Sequence, residues 1–445
     1  MILQAFKKEA KKKQSNKLLD ILYYRLMNTA NVVMYDFDRE DFIKKGYQSN
    51  AEVYKIVRKI VDKCGAAETY LYTDNENQKA AKYKKYTKSA IPIDAAKGKI
   101  YRAKALDFVT GENDLLNLLD TPNNYQTWRE LIELFRIFYF VQGEAFLYRE
   151  TAINSEIALS LHVAPANLMT PIFSDDNENI IKAWRLDMIG GYTRELEAVD
   201  VLQMKMANPM FTESGDQLRG QSPLLAGLKW LQLDDTALLS WVKSVENEGA
   251  KGIISPNHSD PNLWLTPDQV VGVEERVQEK IHGASNKNKV VLSGMPLQFT
   301  QIGLSPDALS LIDALKHTQV NLCDLWGVPA TLFEPNPTYQ NQQAAAKRFI
   351  SEVVVPYLSK EDDVLNRWLV EPFRKRDGKN YVIDTDTSVF EELKMTLDEI
   401  TALSAYLTKN EVRIMQGWDE IDNEYANELF IDNNKIPMSD YAVQI

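Results

Sequence analysis

The stretch LLNLLDTPNNYQTWRELIELFRIFYFVQGEAFLY, residues 115–148, decides how this chain is read. Pro122-Asn123-Asn124 has the composition of a turn, and Thr127 stands where it can cap a helix beginning at Trp128. Leu131, Leu134, Phe135, Phe138 and Tyr139 recur at helical spacing and predict one apolar face. Gly143 is the predicted stop, with a strand from Ala145 to Arg149 behind it. The block holds the densest apolar run, Leu131 to Phe146, yet Glu133, Arg136 and Glu144 interrupt it. No run of about 18 apolar residues occurs, so no membrane span is expected.

On the N-terminal side, AEVYKIVRKIVDKC (51–64) places Val53, Ile56, Ile60 and Val61 at helical spacing before Gly65. Thr69 to Tyr72 then reads as a strand, and the helix is expected to pack on a sheet edge. On the C-terminal side, Ile157 to Val163 reads as a strand. Further short strands follow the Pro165-Ala166-Asn167 turn as far as Met206. An α+β body is predicted.

From Ser222 the character changes. Ser222 suits a helix N-cap, and Pro223 suits the first helical position. Leu224, Leu228, Leu231, Asp235, Leu238, Val242 and Val245 alternate by four and three up to Gly249. One helix of about 40 Å is predicted. Lys229, Asp234, Lys243 and Glu246 occupy its other faces, and a single apolar seam with polar flanks suits packing against copies of itself. Residues 250–303 read as a compact insert: a strand at Ile253-Ile254, a helix from Thr266 to about His282, a loop at 283–288, and strands from Val290 to Leu292 and from Leu297 to Thr300. A second long helix runs from Ser305-Pro306 to Trp326, with Ile312, Leu315, Leu322 and Trp326 on one face. GVPATLFEPNPTYQNQQ (327–343) is a loop by its prolines. A long helix from about Gln340 to Leu369 follows, kinked at Pro356, then a strand from Tyr381 to Asp384 and helical structure over about 391–430.

The chain has 445 residues, 44% hydrophobic and 26% charged, which suits a globular protein of roughly three domains or lobes. Its 51 Lys and Arg against 63 Asp and Glu give a formal charge of −12. That argues against a tight, whole-surface nucleic-acid binder, since phosphate contacts need Lys and Arg. Two cysteines and four histidines leave little for disulfides or metal sites. The N-terminal MILQAFKKEAKKKQSNKLLD lacks the apolar core of a secretory signal and opens a basic amphipathic arm to about Ala30, for which a solvated flexible terminus is the preferred reading. A soluble protein of a reducing compartment is expected. KAAKYKKYTK (79–88) interleaves five lysines with two tyrosines, as single-strand binders do, but its shortness favours a solvated loop.

Chemistry-bearing motifs are missing: no GxxxxGK[ST], HExxH, paired CxxC or GxSxG occurs. Asp384, Asp386 and Ser388 look like the start of a calcium loop, but Val389 stands where the glycine is required, and a strand-end turn is the preferred reading. Cys323 lies beside Leu322 and Trp326 and reads as packing; His317 has no nucleophile arranged beside it. No catalytic residue, cofactor or metal is assigned, and a non-enzymatic function is expected.

In this order, the segments resemble the portal proteins of tailed bacteriophages. Residues 115–148 look like that family's turn, helix, glycine and strand block. GQSPLLAGLKWLQL (220–233) is similar to its Gly-x-Ser-Pro-Leu stem start, and GVPATLF (327–333) to its Gly-Val-Pro channel loop. TYQNQQAAAKRFISEVVVPYLSKEDDVLNRWL (338–369) resembles its kinked helix, and LTKNEVRIMQGW (407–418) its Asn-Glu-x-Arg-x-x-x-Gly turn. The family often has His where this chain has Gln203, and Asn-Gly where it has Glu248-Gly249.

The resemblance implies a structural ring of about twelve subunits at one capsid vertex, the conduit for DNA packaging and ejection. It implies a basic arm (1–27), a wing (28–221 with 370–390), two stem helices (222–249 and 304–326), a clip (250–303), a channel loop with the kinked helix (327–369) and a helical crown (391–445). The channel loop would present Val328, Pro329, Leu332, Phe333, Glu334, Pro335, Pro337 and Thr338. Lys347 and Arg348 would either steady passing phosphates or serve a solvated face or salt bridges. Lys280, Lys287 and Lys289 would dock the motor or be an ordinary polar loop. Leu224, Leu228, Leu231, Leu238, Val242 and Val245 would form the subunit interface. The implied partners are further copies of the chain, double-stranded DNA without sequence preference, the large terminase, head-to-tail adaptors, and major capsid and scaffolding proteins. The implied place is the virion, after assembly in the host cytoplasm, with no membrane and no cofactor. About twelve copies would sum to about −144, which keeps DNA contact weak. The alternatives are a nucleic-acid-processing enzyme or a generic self-assembling shell protein.

Overall fold

The computed structural model describes residues 39–74, 106–153, 155–174, 180–188, 190–212, 216–246, 252–256, 297–301, 311–335, 337–394, 406–416, 420–431 and 436–437, with single positions between them. After a short helical segment (39–48), Asn50 caps α1 (Ala51–Gly65): its Oδ1 accepts from the Glu52 and Val53 amides, each at 3.0 Å. Val53, Ile56, Val57, Ile60, Val61 and Cys64 of α1 are buried. β1 (Thr69–Asp74), β2 (Leu106–Phe108) and α2 (Asp114–Asp120) follow. α3 (Trp128–Gln142) starts in a full capping box between Thr127 and Glu130 and ends on Gly143 at φ +76°. The principal partner of α1 is α3, not the expected sheet edge, because both helices turn an apolar stripe to the same core.

The predicted strand run resolves into β3 (Glu144–Thr151), β4 (Ala158–Ala164), β5 (Met169–Phe173), β6 (Ile181–Asp187), β7 (Thr193–Glu197) and β8 (Val201–Lys205). They form two antiparallel sheets, β4-β3-β8 and β5-β6-β7. Phe146, Met169, Trp184, Leu186 and Leu196 fill one core beneath both, with the Phe146 and Trp184 rings 4.8 Å apart.

The predicted unbroken helix from Ser222 is interrupted. One turn, Pro223–Ala226, precedes Gly227, and α4 is Leu228–Glu246. β9 (Gly252–Pro256) pairs antiparallel with β10 (Leu297–Gln301), and α5 is Leu311–Leu325. Of the expected helix from Thr266 only positions 266, 271 and 272 are described, the last two helical; the 283–288 loop, the Val290 to Leu292 strand and the arm 1–27 lie outside the described residues. The chain divides into two compact units, 1–226 with 323–445, and 227–322.

The long C-terminal helix is one path with two π-turns. α6 (Tyr339–Phe349) passes through a π-segment (Ile350–Val354) into α7 (Val355–Leu365), and a second π-segment (Asn366–Val370) leads into α8 (Glu371–Asp377). Each π-turn lies just before a proline, Pro356 and Pro372, whose missing N–H breaks the regular ladder. The helix therefore runs eight residues past the expected end at Leu369, stopping at Gly378 in the left-handed conformation. β11 (Tyr381–Thr385) pairs with β1, completing the sheet β11-β1-β2. Beyond it, α9 (Lys409–Gln416) is the longest described helix, and β12 (Phe430–Ile431) pairs with β13 (Ile436–Pro437) where helix was expected.

Candidate functional site

The last turn of α3 is where three distant segments meet. A helix end leaves carbonyls without intrahelical donors. Here Gly143 N–H closes on Tyr139 O at 2.9 Å, Trp326 Nε1 donates to Phe140 O at 2.9 Å, and Ser222 Oγ donates to Val141 O at 2.6 Å. Met206 N–H donates to Gly143 O at 2.7 Å. Ser222 Oγ also accepts from the Leu224 amide at 3.2 Å, so one hydroxyl caps the outgoing turn and satisfies the older helix. The backbones touch: a Cβ on Gly143 would lie 2.0 Å from Gln221 O, and one on Gly220 would lie 2.2 Å from Gly143 O.

Glu144 begins β3 at this junction and is wholly buried. Its carboxylate accepts from Arg219 Nε at 2.7 Å, Gln203 Nε2 at 2.8 Å and the Gly220 amide at 2.8 Å, and pairs with Arg39. Arg219 also donates to Ala166 O at 2.6 Å and to Met169 O, beneath the Phe146 and Trp184 rings. Gln203, the position where the resembled family often has His, is thus a neutral donor to a buried carboxylate and to Leu218 O at 2.9 Å.

The segment 327–338 hangs from the same junction. Gly327 turns the chain at φ +68°, and Val328 N–H returns to Cys323 O at 3.0 Å. Val328 is 1% exposed, so it anchors the loop and cannot present itself at a surface, which corrects its expected place among the exposed channel residues. A 3₁₀ turn, Ala330–Phe333, leaves Pro329, Leu332 and Phe333 half-buried. Pro337 is half-buried; Glu334, Pro335 and Thr338 are exposed. Behind the loop, Lys347 and Arg348 are exposed on α6, and Arg348 Nε pairs with Glu352 at 2.8 Å, one turn on. This ion pair within the chain is what occupies Arg348 in the structure.

α7 is fixed to α3 by a buried fork. Arg136 Nε and Nη2 donate to the Glu361 carboxylate at 3.0 and 2.6 Å, with both residues at most 4% exposed. Burial pulls the guanidinium pKa down, but the Glu361 charge and hydrogen bonds outweigh it and leave it raised. Tyr357 packs its ring 4.7 Å from Phe140, and Lys360 Nζ donates to Tyr139 Oη at 3.0 Å and Lys205 O at 2.6 Å. Sequence reading missed Arg136 and Glu361. The signal was present: each charge sits on the apolar stripe of its helix, where an unpaired charge would be untenable.

The expected interface row divides. Leu224 and Leu231 are buried inside the chain, Leu224 against Gly46, so neither reaches a neighbouring subunit. Leu228 is half-buried. Asp234, expected on a polar face, is 1% exposed and accepts from Thr318 Oγ1 of α5 at 2.8 Å. The buried stripe, Leu231, Asp234 and Ala237, is therefore rotated from the predicted seam. Leu238, Leu239 and Val242 remain 38%, 61% and 51% exposed. The Val245 side chain and Lys280, Lys287 and Lys289 lie outside the described residues.

Both cysteines are buried, and burial pushes the Cys64 and Cys323 thiols up to about 12, so neither is a thiolate at neutral pH. Asp386 Oδ1 accepts from the Ser388 amide at 2.9 Å and pairs with Arg102 at 2.6 Å, which makes the calcium-loop look-alike a strand-end turn. Among the described residues no group of His, Cys, Asp and Glu is arranged to hold a metal ion, and no helix is long and apolar enough to cross a membrane.

The family model described as phage portal protein matches residues 94–417. An uncharacterized protein of Rickettsia felis is 25% identical over 280 residues, which are 62% of this chain and 68% of that protein. A chain from the neck of an empty gene transfer agent particle, computed with C6 symmetry, has a TM-score of 0.58 at 20% identity, covering 88% of this chain and 96% of that one. The neck of the native particle, computed with C12 symmetry, gives a TM-score of 0.58 at 19% identity, covering 88% and 97%. The matched span takes in α3 with its glycine, the Gly220 to Pro223 crossing, the Gly327 turn and the π-bulged helix, and a chain covered so far by one family model belongs to the phage portal proteins, a structural family of the head–tail connector.

Proposed function

We propose that about twelve copies of this chain close into a ring at one capsid vertex, and that double-stranded DNA passes along the axis during packaging and ejection without sequence-specific contact. The observation that carries this reading is the uncovered apolar row Leu238, Leu239 and Val242 on α4. Covering a leucine is worth about 1.5–3 kcal/mol, repeated at every contact. A face that meets a different face of the next copy generates a ring when the rotation closes. The C12 symmetry of the similar neck supports the number. In this reading α4 and α5 are the stem, residues 250–303 the clip that receives the large terminase and later the head-to-tail adaptors, and the sheets of β3 to β8 part of the wing facing capsid and scaffolding proteins. Assembly would take place in the host cytoplasm. The test is Leu239→Asp with Val242→Asp. Light scattering should report monomers or small oligomers of folded protein; intact rings from that variant would remove α4 from the interface.

The channel loop would act by shape. Pro329, Leu332, Phe333 and Pro335 are stiff or apolar, Val328 anchors them, and residues 327–343 contain no Lys or Arg. A phosphate contact on every subunit would release many counterions and make binding steeply salt-dependent. Thr338→Lys should therefore tighten DNA binding yet slow packaging, with the rate recovering as salt is raised. Packaging rates equal to the parent's at every salt concentration would show that the loop's charge does not reach DNA.

A further inference from the structure

The turn that follows α9 is a built surface. Asn410, 1% exposed, donates from Nδ2 to Ile421 O and to Asn427 Oδ1, each at 3.0 Å, and accepts from the Ile421 amide at 2.8 Å. Trp418 N–H closes on Arg413 O at 2.9 Å, and the Asn423 side chain caps the next turn at the Tyr425 amide, 3.0 Å away. One buried amide thus pins both ends of the turn. What it presents is unusual for an exposed surface: Trp418 at 64%, Tyr425 at 64%, Ile421 at 44% and Leu429 at 37% exposure. The Arg413 guanidinium lies over the Trp418 ring, 5.8 Å from its centre, and the sequence 419–432 carries six acidic residues and no Lys or Arg. Glu428 Oε2 is buried with no hydrogen-bond donor among the described residues. Aromatic and acidic groups together call for a partner that is both apolar and cationic.

The chain contains such a segment. Residues 1–27 hold Lys7, Lys8, Lys11, Lys12, Lys13, Lys17 and Arg25 against Glu9 and Asp20, a net charge of +5 in a chain whose total is −12. Apolar clusters bracket the lysines, Ile2, Leu3 and Phe6 before them and Leu18, Leu19, Ile21 and Leu22 after. The 38 residues before Arg39 span up to about 125 Å when extended.

We propose that the basic N-terminal arm docks on the acidic, aromatic turn formed by Trp418, Glu420, Ile421, Asp422, Tyr425 and Glu428, on its own chain or on a neighbouring copy. The lysines meet the carboxylates, with Glu428 Oε2 receiving one ammonium, and the apolar clusters cover Trp418 and Tyr425. Docking of this kind ties the two ends of the chain together and weakens with salt, because its charges lie near the surface.

The test uses the full chain. Zero-length carbodiimide coupling followed by mass spectrometry should join lysines of residues 7–17 to Glu420, Asp422 or Glu428. Mixing isotope-labelled with unlabelled protein tells whether the joined residues share a chain, and either result supports the docking. Couplings of the arm lysines found only to other carboxylates would overturn it. A second measurement follows trypsin cleavage at Lys11 to Lys13 in the variant Trp418→Ala, Glu420→Gln, Glu428→Gln. Cleavage should be about tenfold faster than in the parent, and the parent should approach the variant's rate at 1 M salt. Equal rates in parent and variant at low salt would show that this turn does not hold the arm.

Discussion

Gly220→Ala should prevent the chain from reaching its native fold. The added Cβ would stand 2.2 Å from Gly143 O and 2.7 Å from Gly143 C, and both atoms are backbone, so no side chain can swing away. Gly143→Ala meets the same wall from the other side, at 2.0 Å from Gln221 O, and it also forces a Cβ onto a φ of +76°. Relief requires separating the end of α3 from the crossing at 220–222. That would break the Ser222 to Val141 hydrogen bond and the Gly220 amide's bond to Glu144, leaving a buried carboxylate short of a donor. The expected loss is at least about 4 kcal/mol, against a total of roughly 5–15 for a whole domain. Gly378→Ala is the comparison. That residue also has positive φ, at +64°, but a Cβ there meets nothing within 4 Å, so it should cost only about 1–2 kcal/mol. Thermal denaturation and soluble yield of the three variants check this. A Gly220→Ala protein melting within a few degrees of the parent would mean that the two backbones do not approach so closely.

The difference between these glycines also shows what the sequence could disclose. Gly143 is legible as a helix stop because a stop is a local event, written in the apolar spacing before it; Gly378 was not, since the helix was expected to end at Leu369. The α1 and α3 helices, the Thr127 cap and the strands behind them were readable for the same reason. Gly220 acquires its meaning only from Gly143, 77 positions earlier, and no periodicity connects them. The seam on α4 failed in the same way. Counting fours and threes from Leu224 gave a correct helical period but assumed one unbroken helix. Gly227 interrupts the path, the buried stripe runs through Leu231, Asp234 and Ala237, and the predicted seam is left half inside and half out. Interruptions of the apolar run at Arg136 and Glu144 served only to argue against a membrane span. In the fold both are buried charges, each matched by a partner from a remote segment: Glu361 for Arg136, and Arg219 with Arg39 for Glu144.

Arg136→Met should destabilise the protein by about 3–5 kcal/mol, because it strands the Glu361 carboxylate in a site 1% exposed. Arg136→Lys should rescue little. An ammonium is a point charge and cannot reproduce the two parallel bonds, at 3.0 and 2.6 Å, that the guanidinium makes to one carboxylate. The double variant Arg136→Met, Glu361→Met should regain most of the loss, since replacing a buried pair by apolar groups of similar volume removes the desolvation cost along with the attraction. Chemical denaturation of the three proteins gives these differences directly. The double variant then isolates what the fork contributes besides stability. Apolar side chains at 136 and 361 can still pack, but they no longer define where α7 sits along α3, and α7 leads back through the π-turn to α6 and the segment 327–338. If the fork sets that register, the double variant should be nearly as stable as the parent and still show altered proteolysis at residues 334–348. If its cleavage pattern is the parent's, aromatic packing of Tyr357 on Phe140 is enough to seat the helix, and the buried charges are dispensable.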